Sequence, residues 1–225
     1  MPENFCTIRR NFTRPAKDLI EQFRNVPVSN LVDAMFGEYS LPSTLRPVNN
    51  CPLLGPAFTV QCPPGDNLMF HKALDMVHPG DIIVIDAGGY TERGIVGELM
   101  STFTKLHGCA GIVVYGAIRD VEPLRHMDFP VYAAGVSPNT PFQNGPGSIN
   151  EPISIGHIVI HPGDIVAGDQ DGLTIIPPAK AESILQKALA IDAHETEVMD
   201  TMKKALTWNR PFVDKKLQEL HCTYL

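Results

Sequence analysis

Residues 97–120 read GELMSTFTKLHGCAGIVVYGAIRD. A carboxylate, Glu98, follows Gly97 at the head of a helix-like segment. The apolar run that begins at Ala110, AGIVVY, reads as a buried strand, and it closes on Arg119 and Asp120. A helix feeding a buried strand is the repeating unit of an α/β fold. In such folds the carboxyl ends of parallel strands and the starts of helices converge on the ligand crevice. The stretch therefore brings a carboxylate, open backbone N–H groups, a guanidinium and a second carboxylate to one place. These are the parts of a divalent-metal site able to hold an anionic oxo-acid.

The alternation extends on both sides. Upstream, GPAFTVQC (55–62) reads as a strand. The segment GDNLMFHKALDMV (65–77) reads as a helix opened by Asp66, with Leu68, Met69, Ala73, Leu74 and Val77 on its apolar face. Pro79-Gly80-Asp81 turns into the strand IIVID (82–86), too apolar to face solvent on either side, and residues 87–90 read as a loop. Downstream come a short helix over 121–127 and a strand near 130–134, so the order is βαβαβαβ. Between 135 and 176, glycine and proline punctuate short strands, read as an antiparallel or mixed layer packed on the first sheet. Pro162-Gly163-Asp164 repeats the earlier turn as shared turn chemistry, not as an internal repeat.

Before this core, residues 1–14 read as an extended arm. A helix follows Pro15 with Leu19, Ile20 and Phe23 on one face, and Ser29 caps a second short helix that Gly37 stops. After the core, residues 179–206 form one long helix. It is polar beyond its first turns, as suits a helix that reaches across to another subunit. Pro211 reads as a breaker ahead of a second helical patch. The division expected is a single α/β domain over 1–206 and a subunit-contacting tail over 207–225.

The chain has 225 residues, of which 44% are hydrophobic and 19% charged, enough to bury a sizeable core. A formal charge of −7 argues against nucleic acid held by a general basic surface, but not against a small anionic substrate. The five cysteines form no Cys-x-x-Cys pair and are odd in number, which favours reduced thiols. No secretory signal and no run approaching the ~20 apolar residues of a membrane span is found. The expectation is a soluble cytoplasmic protein with neither nucleic acid nor membrane as partner.

Each candidate group has a plainer reading beside the chemical one. Arg119-Asp120 is either a surface ion pair with Asp capping a helix, or a metal-binding carboxylate beside a guanidinium that neutralises an anion. Glu98 is either a favourable first-turn charge or a site residue, with the N–H groups of Leu99 and Met100 free to hold a carboxylate. Asp66 is favoured as a cap. Asp86 either lines the crevice or satisfies turn N–H groups. Asp169-Gln170-Asp171-Gly172 is favoured as a hairpin turn, because the glutamate that would complete a calcium loop is missing. The scattered histidines form no HExxH frame, and neither a phosphate-binding loop nor a dinucleotide fingerprint is present.

Together the segments GDNLMFHKAL, HPGDIIVIDAGG, GELM, GAIRD and GDQDGLTIIP resemble the family that joins the 4-hydroxy-4-methyl-2-oxoglutarate aldolases, also oxaloacetate decarboxylases, with the regulators of ribonuclease E activity. The resemblance spans roughly residues 30–206. It implies an αββα-type sandwich (a swivelling β/β/α-like domain) assembled as a homotrimer or homohexamer with active sites between subunits. It also implies a class II mechanism using Mg2+ or Mn2+. Carried onto this chain, Asp120 binds the metal, and Glu98 does so directly or through water, standing where the family often has Asp. Arg119 stabilises a pyruvate enolate, while Gly97, Leu99 and Met100 help to hold the oxo-acid substrate. Glu195, or else Glu197, comes from the neighbouring subunit, and the role of Glu122 stays open because Pro123 follows it. A Schiff-base aldolase using Lys72 or Lys105 ranks low. The alternative of a different class is a non-catalytic regulator that binds ribonuclease E.

Overall fold

The computed structural model describes residues 6–224. The first five residues of the expected arm, and Leu225 of the tail, lie outside the described residues. The chain begins with β1 (Cys6–Ile8), α1 (Lys17–Glu21), α2 (Val28–Ala34), β2 (Arg46–Pro47) and β3 (Leu53–Gln61). It continues through α3 (Leu68–Ala73), β4 (Ile82–Val96), α4 (Glu98–Leu106), β5 (Gly111–Ile118), α5 (Val121–His126) and β6 (Val131–Val136). Five short strands follow: β7 (Gly147–Ile149), β8 (Ile153–Ile155), β9 (Ile158–Ile160), β10 (Ile165–Gly168) and β11 (Leu173–Ile176). A long helix, α6 (Ala181–Ala205), and then α7 (Pro211–Glu219) complete it.

Strands β3, β4, β5 and β6 pair in parallel, joined by α3, α4 and α5 as crossovers. The period-two side-chain pattern shows how the layers are stacked. Phe58, Val60, Ile83, Ile85, Ile112 and Val114 face the α3–α5 side. Their neighbours Ala57, Ile82, Val84 and Val113 face the opposite side, against Ile153, Ile155, Ile158 and Ile160 of the β8–β9 hairpin and Val166, Leu173 and Ile175 of β10–β11. Residues of the opposite parity on β10 and β11, Ile165, Ala167 and Ile176, then pack on α1, α2 and α6. The order is helix, sheet, sheet, helix, which is the αββα sandwich. A fully buried Ile or Val contributes roughly 1.5–3 kcal/mol. The central strands, buried on both faces, therefore carry much of the stability and hold their carboxyl ends rigid.

Three local expectations are corrected. Residues 87–90 are not a loop: β4 runs on to Val96 as one strand with register shifts after Asp86, Tyr90 and Gly94 against β5. The glycine pair reads as a turn but here permits bulges. The later strands β8–β11 form the expected second layer, while β7 pairs with β3 in the first sheet and β10 pairs with the start of β3, joining the two layers. Ser29 does not cap α2. It lies inside the helix, and the first N–H, of Val28, donates instead to Asp169 Oδ2 at 3.0 Å, a partner distant in sequence. Pro211 does not break a helix but starts α7, where its missing N–H costs nothing.

The two His-Pro-Gly-Asp turns are superimposable in their bonding. Gly80 and Gly163 have φ of 91° and 92°, as a turn with a left-handed third residue requires. In each, the Asp Oδ2 accepts the His N–H at 2.8 Å. One turn leads into β4, parallel to β3, and the other into β10, antiparallel to it. Shared turn chemistry is therefore the correct description.

Candidate functional site

The two ends of the 97–120 stretch meet. Arg119 N–H donates to Val96 O at 2.8 Å, which fastens the end of β5 to the end of β4 immediately before α4. Asp120 follows in the left-handed region, φ 55°, at the N-cap position of α5. Its carboxylate makes no capping bond to that helix. Instead Oδ2 accepts the Glu98 N–H at 3.1 Å and lies 3.7 Å from Arg119 Nε. The plain reading of Asp120 as a cap is thereby set aside. Its left-handed backbone, costly for a non-glycine residue, turns the carboxylate towards the start of α4.

Gly97 makes that contact possible. A Cβ there would come within 2.4 Å of Asp120 Oδ2 and 3.2 Å of Arg119 Cγ. Two further N–H groups are left open at the same helix start. In regular α-helical bonding Leu99 and Met100 would donate to Ile95 O and Val96 O. Those carbonyls already accept from Asn67 Nδ2, at 3.0 Å, and from Arg119 N–H. An anion placed before α4 meets both N–H groups and the positive end of the helix dipole.

These groups line one cleft of about 280 Å³, with Gly97, Leu99, Met100, Arg119 and Asp120 among its walls. Asn67, His71, Thr140, Pro141 and Gln143 also line it and were not singled out from sequence. Asn67 stands at the N-cap position of α3 without a side-chain capping bond; its amide donates to Ile95 O, and its Oδ1 is buried without a partner. An unsatisfied buried acceptor costs about 1–3 kcal/mol, so a donor from a ligand or water is called for there. The Gln143 amide nitrogen lies 3.2 Å from His71 Nε2. Nothing periodic in the 137–146 loop pointed to it.

The remaining candidates fall elsewhere. Asp66 is buried and caps α3 through Leu68 N–H at 2.8 Å, while its second oxygen ties down Asn144 and Gly145. Asp86 lies outside the cleft and accepts the Gly88 N–H at 2.9 Å; burial pushes its carboxyl above the ordinary value. Asp169 and Asp171 form the expected hairpin turn between β10 and β11. Glu195 is exposed on α6, beyond Ala188, the last buried residue of that helix, and does not line the cleft.

Among the described residues no cluster of three His, Cys, Asp or Glu could hold a metal ion. Of the two carboxylates expected to hold a metal, Asp120 lines the cleft, whereas Glu98 does not and shows only its backbone N–H there, bonded to Asp120 Oδ2. Carboxylate oxygens are hard and suit Mg2+ or Mn2+, ions that keep several waters and need few protein ligands. The donor chemistry therefore fits such an ion in kind.

The fold and this cleft define an α/β protein with a guanidinium–carboxylate pair after β5, beside the start of α4 where the parallel strand β4 also ends. A sequence model of the RraA-like family (Aldolase/RraA) matches residues 28–175. The chain belongs to that family. A protein of Halalkalibacterium halodurans named "Putative 4-hydroxy-4-methyl-2-oxoglutarate aldolase" is 45% identical over 172 residues, 76% of this chain and 82% of that one. Among solved structures, Streptomyces coelicolor RraAS2, described as an unusual member of the RNase ES inhibitor RraA protein family, has a TM-score of 0.74 at 27% identity. That match covers 84% of this chain and all (100%) of the other. An uncharacterized protein of Pseudomonas syringae shares the fold, with a TM-score of 0.77 at 23% identity over 86% of this chain and 96% of that one.

Proposed function

We propose that this protein is a divalent-metal-dependent lyase that cleaves 4-hydroxy-2-oxo acids, such as 4-hydroxy-4-methyl-2-oxoglutarate, to pyruvate. Oxaloacetate decarboxylation would use the same pyruvate enolate. The observation that carries the reading is the turning of Asp120 away from its own helix to meet Glu98 N–H beside Arg119, across a glycine with no room for a side chain. The name of the 45% identical relative agrees with it.

Mg2+ or Mn2+, held by Asp120 and, directly or through water, by Glu98, would supply Lewis-acid stabilisation of negative charge on the 2-oxo oxygen. Glu195 or Glu197 of a neighbouring subunit would complete the carboxylate set. The chain's own groups do the rest. The N–H groups of Leu99 and Met100 hold the substrate carboxylate. Arg119 stabilises the enolate oxygen as the bond between C3 and C4 breaks and its electron pair moves towards the carbonyl. In aldol cleavage the 4-hydroxyl proton must leave as C4 becomes a carbonyl, and Glu98 would take it through water. In decarboxylation C4 departs as carbon dioxide and no hydroxyl proton is involved; in both reactions C3 of the enolate then takes a proton from water to give pyruvate.

The test is pyruvate release from both substrates with Mg2+ or Mn2+, repeated after chelation and with Arg119→Ala. We expect chelator-sensitive release, and a fall in kcat of at least about 100-fold in the variant with its circular dichroism unchanged. Near-normal turnover by Arg119→Ala would sink the assignment. The likeness to RraAS2 favours one other reading, a non-catalytic regulator that binds a ribonuclease of the E type. No pyruvate from either substrate, together with tight ribonuclease binding, would select it.

A further inference from the structure

One wall of the cleft, Thr140, Pro141 and Gln143, belongs to the 137–146 loop between β6 and β7. The loop is anchored at two places. On one side Ser137 Oγ and Asn139 Nδ2 donate to Glu92 O, at 2.7 and 2.8 Å, and Asn139 O accepts from Gly94 N–H at 3.1 Å. On the other, Asp66 Oδ2 accepts from the N–H groups of Asn144 and Gly145, and Phe142 exchanges backbone hydrogen bonds with Gly65 and Asn67. Between these anchors two side-chain ties hold the wall: Gln143 Nε2 lies 3.2 Å from His71 Nε2 on α3, and Arg93 reaches across to Thr140 and Phe142. The Arg93 guanidinium lies 3.9 Å over the Phe142 ring, and its Nη1 donates to Thr140 O. Among the described residues no carboxylate pairs with it in a salt bridge. A guanidinium that forgoes a carboxylate for a ring and a carbonyl is committed to holding that loop in place.

We infer that Arg93 is a positioning residue for specificity: it fixes the Thr140–Gln143 wall, and so sets the room for whatever lies beyond the reacting carbons of the substrate. This rests on the proposed lyase reading. Arg93 does not line the cleft, so its effect on the ligand passes through the wall. A substrate with a long or branched distal end meets the wall, whereas oxaloacetate, ending at C4, depends on Arg119 and the start of α4.

The variant is Arg93→Met, which keeps the apolar stem and removes the charge and the donor. For 4-hydroxy-4-methyl-2-oxoglutarate, KM should rise about tenfold, the size expected for losing a charge-assisted hydrogen bond, with kcat changed less than about threefold. For oxaloacetate, KM should stay within about twofold. Arg93→Lys, which keeps a cation over the ring, should recover part of the loss. Equal changes for the two substrates, or none for either, would overturn the assignment. Two measurements need no turnover. The Mg2+-dependent affinity for 2-oxoglutarate should weaken in Arg93→Met while that for oxalate holds. Amide exchange in 139–145 should quicken at least about tenfold while that of α4 does not. A wild type that binds both anions but releases no pyruvate defeats the lyase reading alone. Lost contrast between the anions, or unchanged exchange in 139–145, defeats the Arg93 inference alone, and a wild type that binds neither anion defeats both.

Discussion

A methyl group at position 97 would sit 2.4 Å from Asp120 Oδ2, closer than any real contact allows. The Gly97 backbone is extended, φ −139°, so alanine fits the local conformation and the conflict is entirely with the site. Gly97→Ala should therefore push Asp120 off the Glu98 N–H and lower kcat/KM for pyruvate release by about 100-fold or more. Its melting temperature should change by no more than about 5 °C. Unaltered activity would mean that the position of Asp120 has no bearing on the chemistry. In the sequence this glycine is legible only as punctuation before a helix, because the clash depends on where residue 120 returns. Glu98, Arg119 and Asp120 were legible as a set, since one helix and one strand separate them. Asn67 was not, because Asp66 beside it reads as the cap of that helix, and the unpartnered oxygen of Asn67 shows only once Ile95 is folded beside it.

Elements form where local pattern and tertiary contact agree, and the two His-Pro-Gly-Asp turns separate those influences. Both aspartates close the same turn, but Asp81 is fully buried and also takes a two-pronged bond from Arg14, at 2.7 and 2.7 Å. Arg14→Met should cost roughly 3–5 kcal/mol, because it leaves a buried carboxylate without its cation. Asp164 lacks such a partner beyond His161, 3.6 Å away, and burial raises its carboxyl above the ordinary 3.8. A raised carboxyl favours the protonated fold, so stability is full below 3.8 and falls as pH climbs through the raised value. Asp164→Asn keeps the acceptor and does not titrate. Its urea midpoint relative to wild type should improve from about pH 3 to about pH 7, and a flat difference would contradict the shift. The turns and the parallel core were legible because proline, glycine and apolar runs act locally. The continuation of β4 past Asp86 and the capping of α2 by Asp169 were not, since each depends on a partner remote in the chain.

At the scale of the whole molecule, burial stops partway along α6. Ala181, Ile184, Leu185 and Ala188 are buried, whereas Leu189, Met199, Leu206, Trp208, Phe212 and Leu220 are 45–91% exposed. α7 contributes no buried residue. Apolar side chains left open along a helix that has outrun its own core favour association, and Glu195 lies on the same stretch. The homotrimer or homohexamer that the family resemblance implies would place that glutamate near a second copy's cleft, so assembly and activity are expected to fail together. Removal of residues 207–225 should leave the thermal unfolding of the αββα core in place, since α7 adds nothing to its interior. It should also shift sedimentation towards smaller species and lower pyruvate release in proportion to the assembly lost. Diluting the intact protein through its dissociation range should lower specific activity along the same curve. Full specific activity in a chain that sediments as a monomer would show that one copy's cleft is complete. Asp120 and Glu98 would then have to hold the metal with water alone.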